Sequence, residues 1–123
     1  MIDARLYVDK EKLYNFNQLK EIYPDNDGFL KHFAGIFLKI TPSDCSEMLS
    51  TMEAGDWQMV SKYAHKIKST IDSMNMTSIK TDIRTIELDA KSKTNIANLR
   101  RLGLKVEKVI SEVALQVKDD FNL

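Results

Sequence analysis

The residues best suited to chemistry surround His65, in the run Tyr63-Ala64-His65-Lys66-Ile67-Lys68-Ser69. The stretch 57–71 contains no acidic residue, but it contains three lysines: Lys62, Lys66 and Lys68. A neutral imidazole is a nucleophile near neutral pH, because its unperturbed pKa is about 6.5. Phosphoryl transfer needs mainly in-line positioning and cations that balance the spread negative charge. The stretch is therefore a candidate acceptor site for a phosphoryl group.

His65 lies beside an apolar helical face. Apolar residues recur here at spacings of three and four: Trp57, Val60, Ala64, Ile67, Ile71 and Met74. Such spacing is typical of the buried face of a helix. His65 follows Ala64 and lies about 100° further round the helix. It belongs to a polar stripe of Gln58, Ser61, His65, Lys68 and Asp72. We predict a partly exposed imidazole with Lys68 one turn away on the same face.

Other residues that could react or bind metals lack such a context. We expect His32 to be a partly buried helix residue and Cys45 to be a small core residue. The methionines Met48, Met52, Met74 and Met76 are expected to fill the core. The sequence has no glycine-rich phosphate loop and no metal-ligand pattern. We therefore expect this chain to hold no cofactor, no metal and no ATP of its own.

The elements that must position the stripe are predicted to be helices. The chain contains only 4 Gly and 2 Pro, and it shows no alternating strand pattern. A first helix is predicted over Asp9–Glu21, ahead of Pro24. Asp25-Asn26-Asp27 can cap a second helix. The run Thr41-Pro42-Ser43-Asp44 indicates either a new helix or a kinked continuation. The second helix is expected to place four apolar residues on one face: Leu30, Phe33, Phe37 and Ile40.

Helix ends and apolar faces continue along the rest of the chain. Gly55 suits a helix end, Asp56 suits the next N-cap, and Asn75 suits a left-handed terminator. The next predicted face comprises Ile79, Ile83, Ile86 and Ala90. The last comprises Leu99, Leu102, Val106, Val109, Val113 and Val117. We predict one all-α domain over 1–123: an antiparallel four-helix bundle at about 24–118 with an additional N-terminal helix in 1–23.

Composition limits the classes of function. The chain carries 18 basic and 18 acidic side chains, and this balance argues against nucleic acid or an anionic membrane as a partner. It has one cysteine, no apolar run long enough for a membrane span and no secretory signal pattern at its start. We therefore expect a cytoplasmic protein, and we expect it to be a monomer.

The run from Tyr63 to Ser69 resembles the Ala-His-x-Leu-Lys-Gly motif of histidine-containing phosphotransfer (HPt) domains. The resemblance covers about Tyr23 to Val117. It extends to Asp27-Gly28-Phe29-Leu30, Phe37-Leu38, Met48-Leu49, Gly55-Asp56-Trp57 and Ile86-Glu87-Leu88. Ser69 and Asn75 stand where the family prefers glycine. Both substitutes are tolerable, because Ser69 is small and Asn75 accepts a positive φ.

The resemblance implies a phosphorelay intermediate rather than an enzyme with its own turnover centre. His65 would accept a phosphoryl group from the aspartyl phosphate of a receiver domain, and Lys68 would stabilise it. The partners would be response regulators or hybrid sensor histidine kinases, and the receiver would supply Mg²⁺. We expect the docking rim to comprise Ser61, Lys62, Ser69 and Asp72.

Two other functions remain open at this point. The first is a phosphotransfer-like docking or inhibitory module that is never phosphorylated. The second is a structural helical bundle in which His65 is an ordinary surface residue. An intact His65 and Lys68 speak against the first, and a large exposed apolar patch without phosphorylation would favour the second.

Overall fold

The computed structural model describes residues 11–123, and their regular structure is entirely helical. In chain order the elements are α1 (Asn17–Ile22), α2 (Asp27–Glu53), α3 (Trp57–Ser73), a 3-10 turn (Thr77–Ile79), α4 (Lys80–Ser92) and α5 (Ile96–Phe121). No β-strand occurs among the described residues. The prediction of an all-α protein is therefore confirmed for this part of the chain.

The four longer helices pack around one core. α3 contacts α2 on one side and α4 on the other, and α5 contacts both α2 and α4. The largest fully buried side chains come from all four helices and the segments between them: Phe37, Met48, Met52, Ile67, Ile71, Met74, Met76, Ile79, Ile83, Ile86, Leu99 and Ile110. This arrangement leaves the outer face of α3 exposed between α2 and α4. The predicted core role of the four methionines is confirmed.

The predicted N-cap of α2 and the predicted ends of α3 are confirmed. The side chain of Asn26 accepts a hydrogen bond from the backbone N–H of Phe29 at the start of α2. Asp56 caps α3 in the same way. Gly55 and Asn75, before and after α3, adopt positive φ angles of 71° and 48°. These residues fix where α3 begins and ends, and thus where His65 lies along it.

α2 is one continuous helix that passes through Pro42, so the predicted continuation is confirmed and the helix restart is wrong. Its buried face consists of Leu30, Ala34, Phe37, Thr41, Cys45, Met48 and Met52. The expected core position of Ile40 is wrong, since this side chain is 45% exposed. Because the helix continues through Pro42, Thr41 lies one turn before Cys45 on the same buried face.

The predicted helix over Asp9–Glu21 is wrong for residues 11–16, and its first two residues lie outside the described part. Helix begins only at Asn17. Tyr14 and Phe16 are both buried, which is the spacing of an extended segment. The backbone N–H of Asn15 donates to the carbonyl of Met74, and that of Leu13 donates to the side chain of Gln116. These long-range hydrogen bonds give the backbone N–H groups of Leu13 and Asn15 their partners without a helix.

The remaining predicted faces need two small corrections. All four residues predicted for α4 and the turn before it are buried, but in α5 Ile110 is buried where Val109 is only half-buried.

His32 is exposed rather than partly buried. Cys45 is a core residue as expected, and burial, together with the nearby Glu107 and Asp44, raises the pKa of its thiol to about 12. None of the described helices is long and apolar enough to cross a membrane.

Candidate functional site

His65 projects from the middle of α3 into solvent. Its side chain is 71% exposed, whereas Ala64 and Ile67 on either side are buried against the core. The contrast follows from the helical period, because neighbouring residues differ in direction by about 100°. The structure thus provides a rigid helix beneath an accessible imidazole.

Glu87 of α4 binds both predicted catalytic residues at once. One carboxylate oxygen lies 2.6 Å from Nδ1 of His65, and the other lies 2.7 Å from Nζ of Lys68. The Glu87 side chain is only 16% exposed, so this bridge lies at the base of the α3–α4 seam. His65 and Lys68 are therefore brought together as predicted, through a carboxylate that the sequence did not single out.

The charges around Glu87 determine which tautomer the neutral imidazole of His65 adopts. Burial raises the pKa of the Glu87 carboxyl, but hydrogen bonds and charges from Lys68 and His65 outweigh it and hold the pKa below its ordinary value. Glu87 is thus ionised at neutral pH and can only accept hydrogen bonds. In the neutral imidazole the proton must then reside on Nδ1. Nε2 keeps its lone pair, and no hydrogen bond to it occurs within residues 11–123.

The α4 side of the stripe is held by cross-helix contacts. The hydroxyl of Ser61 donates to the backbone carbonyl of Glu87 at 3.0 Å. Asp72 accepts a hydrogen bond from Arg84 at 2.7 Å, and its other carboxylate oxygen is buried without a partner among the described residues. Two members of the predicted docking rim thus face the α3–α4 seam.

The α2 side carries a third member of that rim, Ser69, whereas the fourth member, Lys62, lies on the α4 side. Ser69 is exposed, and its hydroxyl donates to the backbone carbonyl of Lys66. It lines a cleft of about 270 Å³ between α2 and α3, together with the exposed side chains Ile36 and Ile40. Lys62 is exposed beyond His65. The stripe therefore separates an apolar flank from a polar one.

A larger groove of about 720 Å³ adjoins the imidazole on the α4 side. The residues that line it are all polar or charged, and four of them are lysines: Gln58, Ser61, Lys62, His65, Lys66, Glu87, Lys91 and Lys93. A molecule in this groove would touch the imidazole directly. Within the described residues, no three His, Cys, Asp or Glu side chains come together as a metal site.

Sequence reasoning missed Glu87 as a functional residue. Its distance of 22 residues from His65 gives no local spacing that links the two. The only available signal was the resemblance of Ile86-Glu87-Leu88 to a family segment. Lys91 and Lys93 were missed for the same reason, because helix pairing brings them to the groove.

Comparisons with protein-family models, with curated proteins and with solved structures found no significant match to this chain. The geometry of the site and the chemistry of its residues therefore carry the functional argument.

Proposed function

We propose that this protein is a phosphorelay intermediate, in which His65 accepts a phosphoryl group from the aspartyl phosphate of a receiver domain and passes it to another receiver. The observation that carries the proposal is the exposed imidazole, whose Nδ1 lies 2.6 Å from an ionised carboxylate while Nε2 faces away from it. In the neutral imidazole, this arrangement leaves the lone pair of Nε2 available as a nucleophile.

The transfer step balances without a proton leaving the ring. The lone pair of Nε2 attacks phosphorus, a P–N bond forms, and the P–O bond to the aspartyl group of the partner breaks to release its carboxylate. The phosphorylated ring then carries positive charge while Nδ1 keeps its proton. Glu87 stabilises this charge, just as a buried carboxylate stabilises an imidazolium in a catalytic triad. Return of the phosphoryl group to a second aspartate reverses these steps.

Lys68 assists through its spare hydrogen-bond donors. An ammonium has three N–H groups. One donates to Glu87 at 2.7 Å, so the others can bind oxygens of a phosphoryl group one turn away. The Lys68 side chain is 27% exposed, which leaves the ammonium accessible. Mg²⁺ and the remaining catalytic groups would come from the receiver.

An antiparallel four-helix bundle with a short additional helix at its N-terminal side is the architecture that fits this role. A relay needs no closed active site, because the receiver covers the acceptor during transfer. A convex, rigid helix face such as that of α3 suits repeated docking by two different receivers. The open groove and cleft on either side of His65 support this view.

The decisive experiment uses a panel of purified receiver domains that have been phosphorylated with acetyl phosphate and Mg²⁺. We expect at least one of them to transfer label to this protein as an acid-labile, base-stable mark on His65. His65→Gln should abolish the label with a change in stability of about 0.5 kcal/mol or less, because the site is solvent-exposed.

His32→Gln is the matched control, since His32 is also an exposed histidine on a helix. It should take label at the parental rate. Label that persists in His65→Gln, or that maps to His32, would refute the assignment. A protein that no receiver labels would be a docking module or a structural bundle instead.

A further inference from the structure

The groove beside His65 contains cations that no carboxylate among residues 11–123 pairs with. Lys66, at its edge, pairs with Asp44 at 3.2 Å. For Lys62, Lys91 and Lys93, no carboxylate lies within 4.0 Å in the part of the chain from 11 to 123. One ammonium group from α3 and two from the C-terminal end of α4 thus lie on one concave surface without a carboxylate partner in the described part of the chain.

The conformation of Lys93 adds an independent observation. It terminates α4 in the left-handed region with φ 57°, where glycine or asparagine is usual. A lysine there is strained, because its Cβ lies too close to the following carbonyl oxygen. A lysine near the C-terminal end of a helix interacts favourably with the helix dipole, and this interaction explains part of the preference for lysine at Lys91 and Lys93. The dipole of α4 does not account for Lys62, which lies on α3.

We propose that this groove receives an acidic segment of the partner and sets the affinity of docking rather than the rate of the chemical step. That the partner is a receiver domain rests on the proposed function. The carboxylates of an acidic segment would form charge-assisted hydrogen bonds with the ammonium groups of Lys62, Lys91 and Lys93 in this groove.

The distribution of charge favours a short acidic segment over other polyanions. Lys66, Lys68 and Arg84 are already paired with carboxylates on this face. The net charge of the chain is zero, so the chain as a whole carries no surplus of positive charge. Nucleic acids and anionic membranes bind through extended basic surfaces instead.

A first experiment tests the groove without a receiver. A hexaglutamate peptide should shift the backbone amide NMR signals of Lys62, Lys91 and Lys93, whereas hexaglutamine should not. Equal shifts with both peptides, or shifts centred on α5, would overturn the proposal. So would a groove that responds to pyrophosphate and not to hexaglutamate, since it would then be a small-anion site.

A second experiment separates affinity from rate with a receiver that labels His65. The double variant Lys62→Glu/Lys91→Glu should raise the half-saturating receiver concentration about tenfold at low salt and leave the maximal rate unchanged. The increase should shrink to less than about threefold at about 0.5 M salt, because screening is then strong.

The matched control is Lys108→Glu/Lys118→Glu on α5, which changes the net charge equally. These lysines are exposed on the helix that packs against α2 and α4, away from the groove. The control variant should leave the half-saturating receiver concentration unchanged, whereas the groove variant should raise it. An equal increase in both variants would overturn the proposal. Failure of every receiver to label His65 would refute the proposed function, while the peptide experiment would still decide the groove.

Discussion

Glu87 links the two residues on which the proposed chemistry depends. Its carboxylate fixes the Nδ1 side of His65 and holds the ammonium of Lys68. Every substitution at one of these three positions therefore changes the environment of the other two. Their effects on transfer should not be additive, because residues within one hydrogen-bond network are coupled.

Glu87→Gln should slow transfer by about tenfold or more. The Lys68 ammonium would bind the amide oxygen, so the amide nitrogen would face Nδ1 and donate to it. The imidazole proton would then lie on Nε2 and block the nucleophile. Single-turnover transfer from a phosphorylated receiver measures this effect. Transfer at the parental rate would show that Glu87 does not select the tautomer.

The same variant should change how stability depends on pH. The folded-state pKa of Glu87 is lowered from its ordinary value of 4.5. Its contribution to the free energy of unfolding is therefore complete above that value and disappears as the pH falls through the lower, folded-state pKa. Urea denaturation should show parental stability falling more steeply in this window than that of Glu87→Gln. Parallel curves would contradict a role for this ion pair in the native state.

Lys68→Ala should slow transfer without abolishing it. Loss of one stabilising group typically reduces a rate by about ten- to a thousandfold, and a partly exposed ammonium belongs at the lower end. The variant should also lose about 1 kcal/mol of stability, because Glu87 loses its cation. Lys108→Ala, at an exposed lysine on α5, should change neither quantity. Equal transfer rates in the parent and Lys68→Ala would make Lys68 a purely structural partner of Glu87.

At the scale of the helices, the sequence predicted what local spacing and capping determine. The apolar face of α3, its cap at Asp56 and its terminator at Asn75 all depend on residues within about one turn of each other. The partners of His65 could not be predicted in this way. Glu87 reaches the site only because α3 and α4 pack side by side.

α2 shows how one unresolved local choice can misplace a residue of a predicted face. Thr41-Pro42 fits the start of a helix as well as its interior, so the sequence left both possibilities open. In the structure the helix continues, and the small residues Ala34 and Thr41 face the core while Ile40 does not. Tertiary packing outweighed the missing hydrogen bond at the proline.

The close packing of α2 against α5 gives a prediction at this scale. A Cβ at Gly103 would lie 2.9 Å from Cδ2 of Leu49 and 3.0 Å from the Sδ and Cε atoms of Met52, whereas none of the surrounding atoms lies within 4 Å of a Cβ at Gly35. Gly103→Ala should therefore lower the free energy of unfolding by about 1 kcal/mol despite its better helix propensity. Gly35→Ala should raise it by about 0.5–1 kcal/mol. Urea denaturation compares the two, and stabilisation by both would mean that the α2–α5 contact is loose.

For the molecule as a whole, the extended segment 11–16 closes one end of the helical core. The hydroxyl of Tyr14 donates to Asp120 near the end of α5, and Lys12 pairs with the same carboxylate. Burial raises the pKa of the Tyr14 phenol, and so does its bond to Asp120. The bonded carbonyl of Met74 lies nine residues beyond His65, or about 14 Å along the helix direction. The closure should therefore affect stability and not transfer.

Tyr14→Phe tests this separation of fold and site. The ring keeps its packing against Phe16, but the hydrogen bond to a charged carboxylate is lost, so the free energy of unfolding should fall by about 1–2 kcal/mol. Tyr23→Phe is the matched control, because Tyr23 is 43% exposed and its hydroxyl has no hydrogen bond among the described side chains. Both variants should accept a phosphoryl group at the parental rate below their unfolding temperatures. Slower transfer in Tyr14→Phe at full folding would mean that the closing segment controls the geometry of α3, and that the fold and the site are coupled along its length.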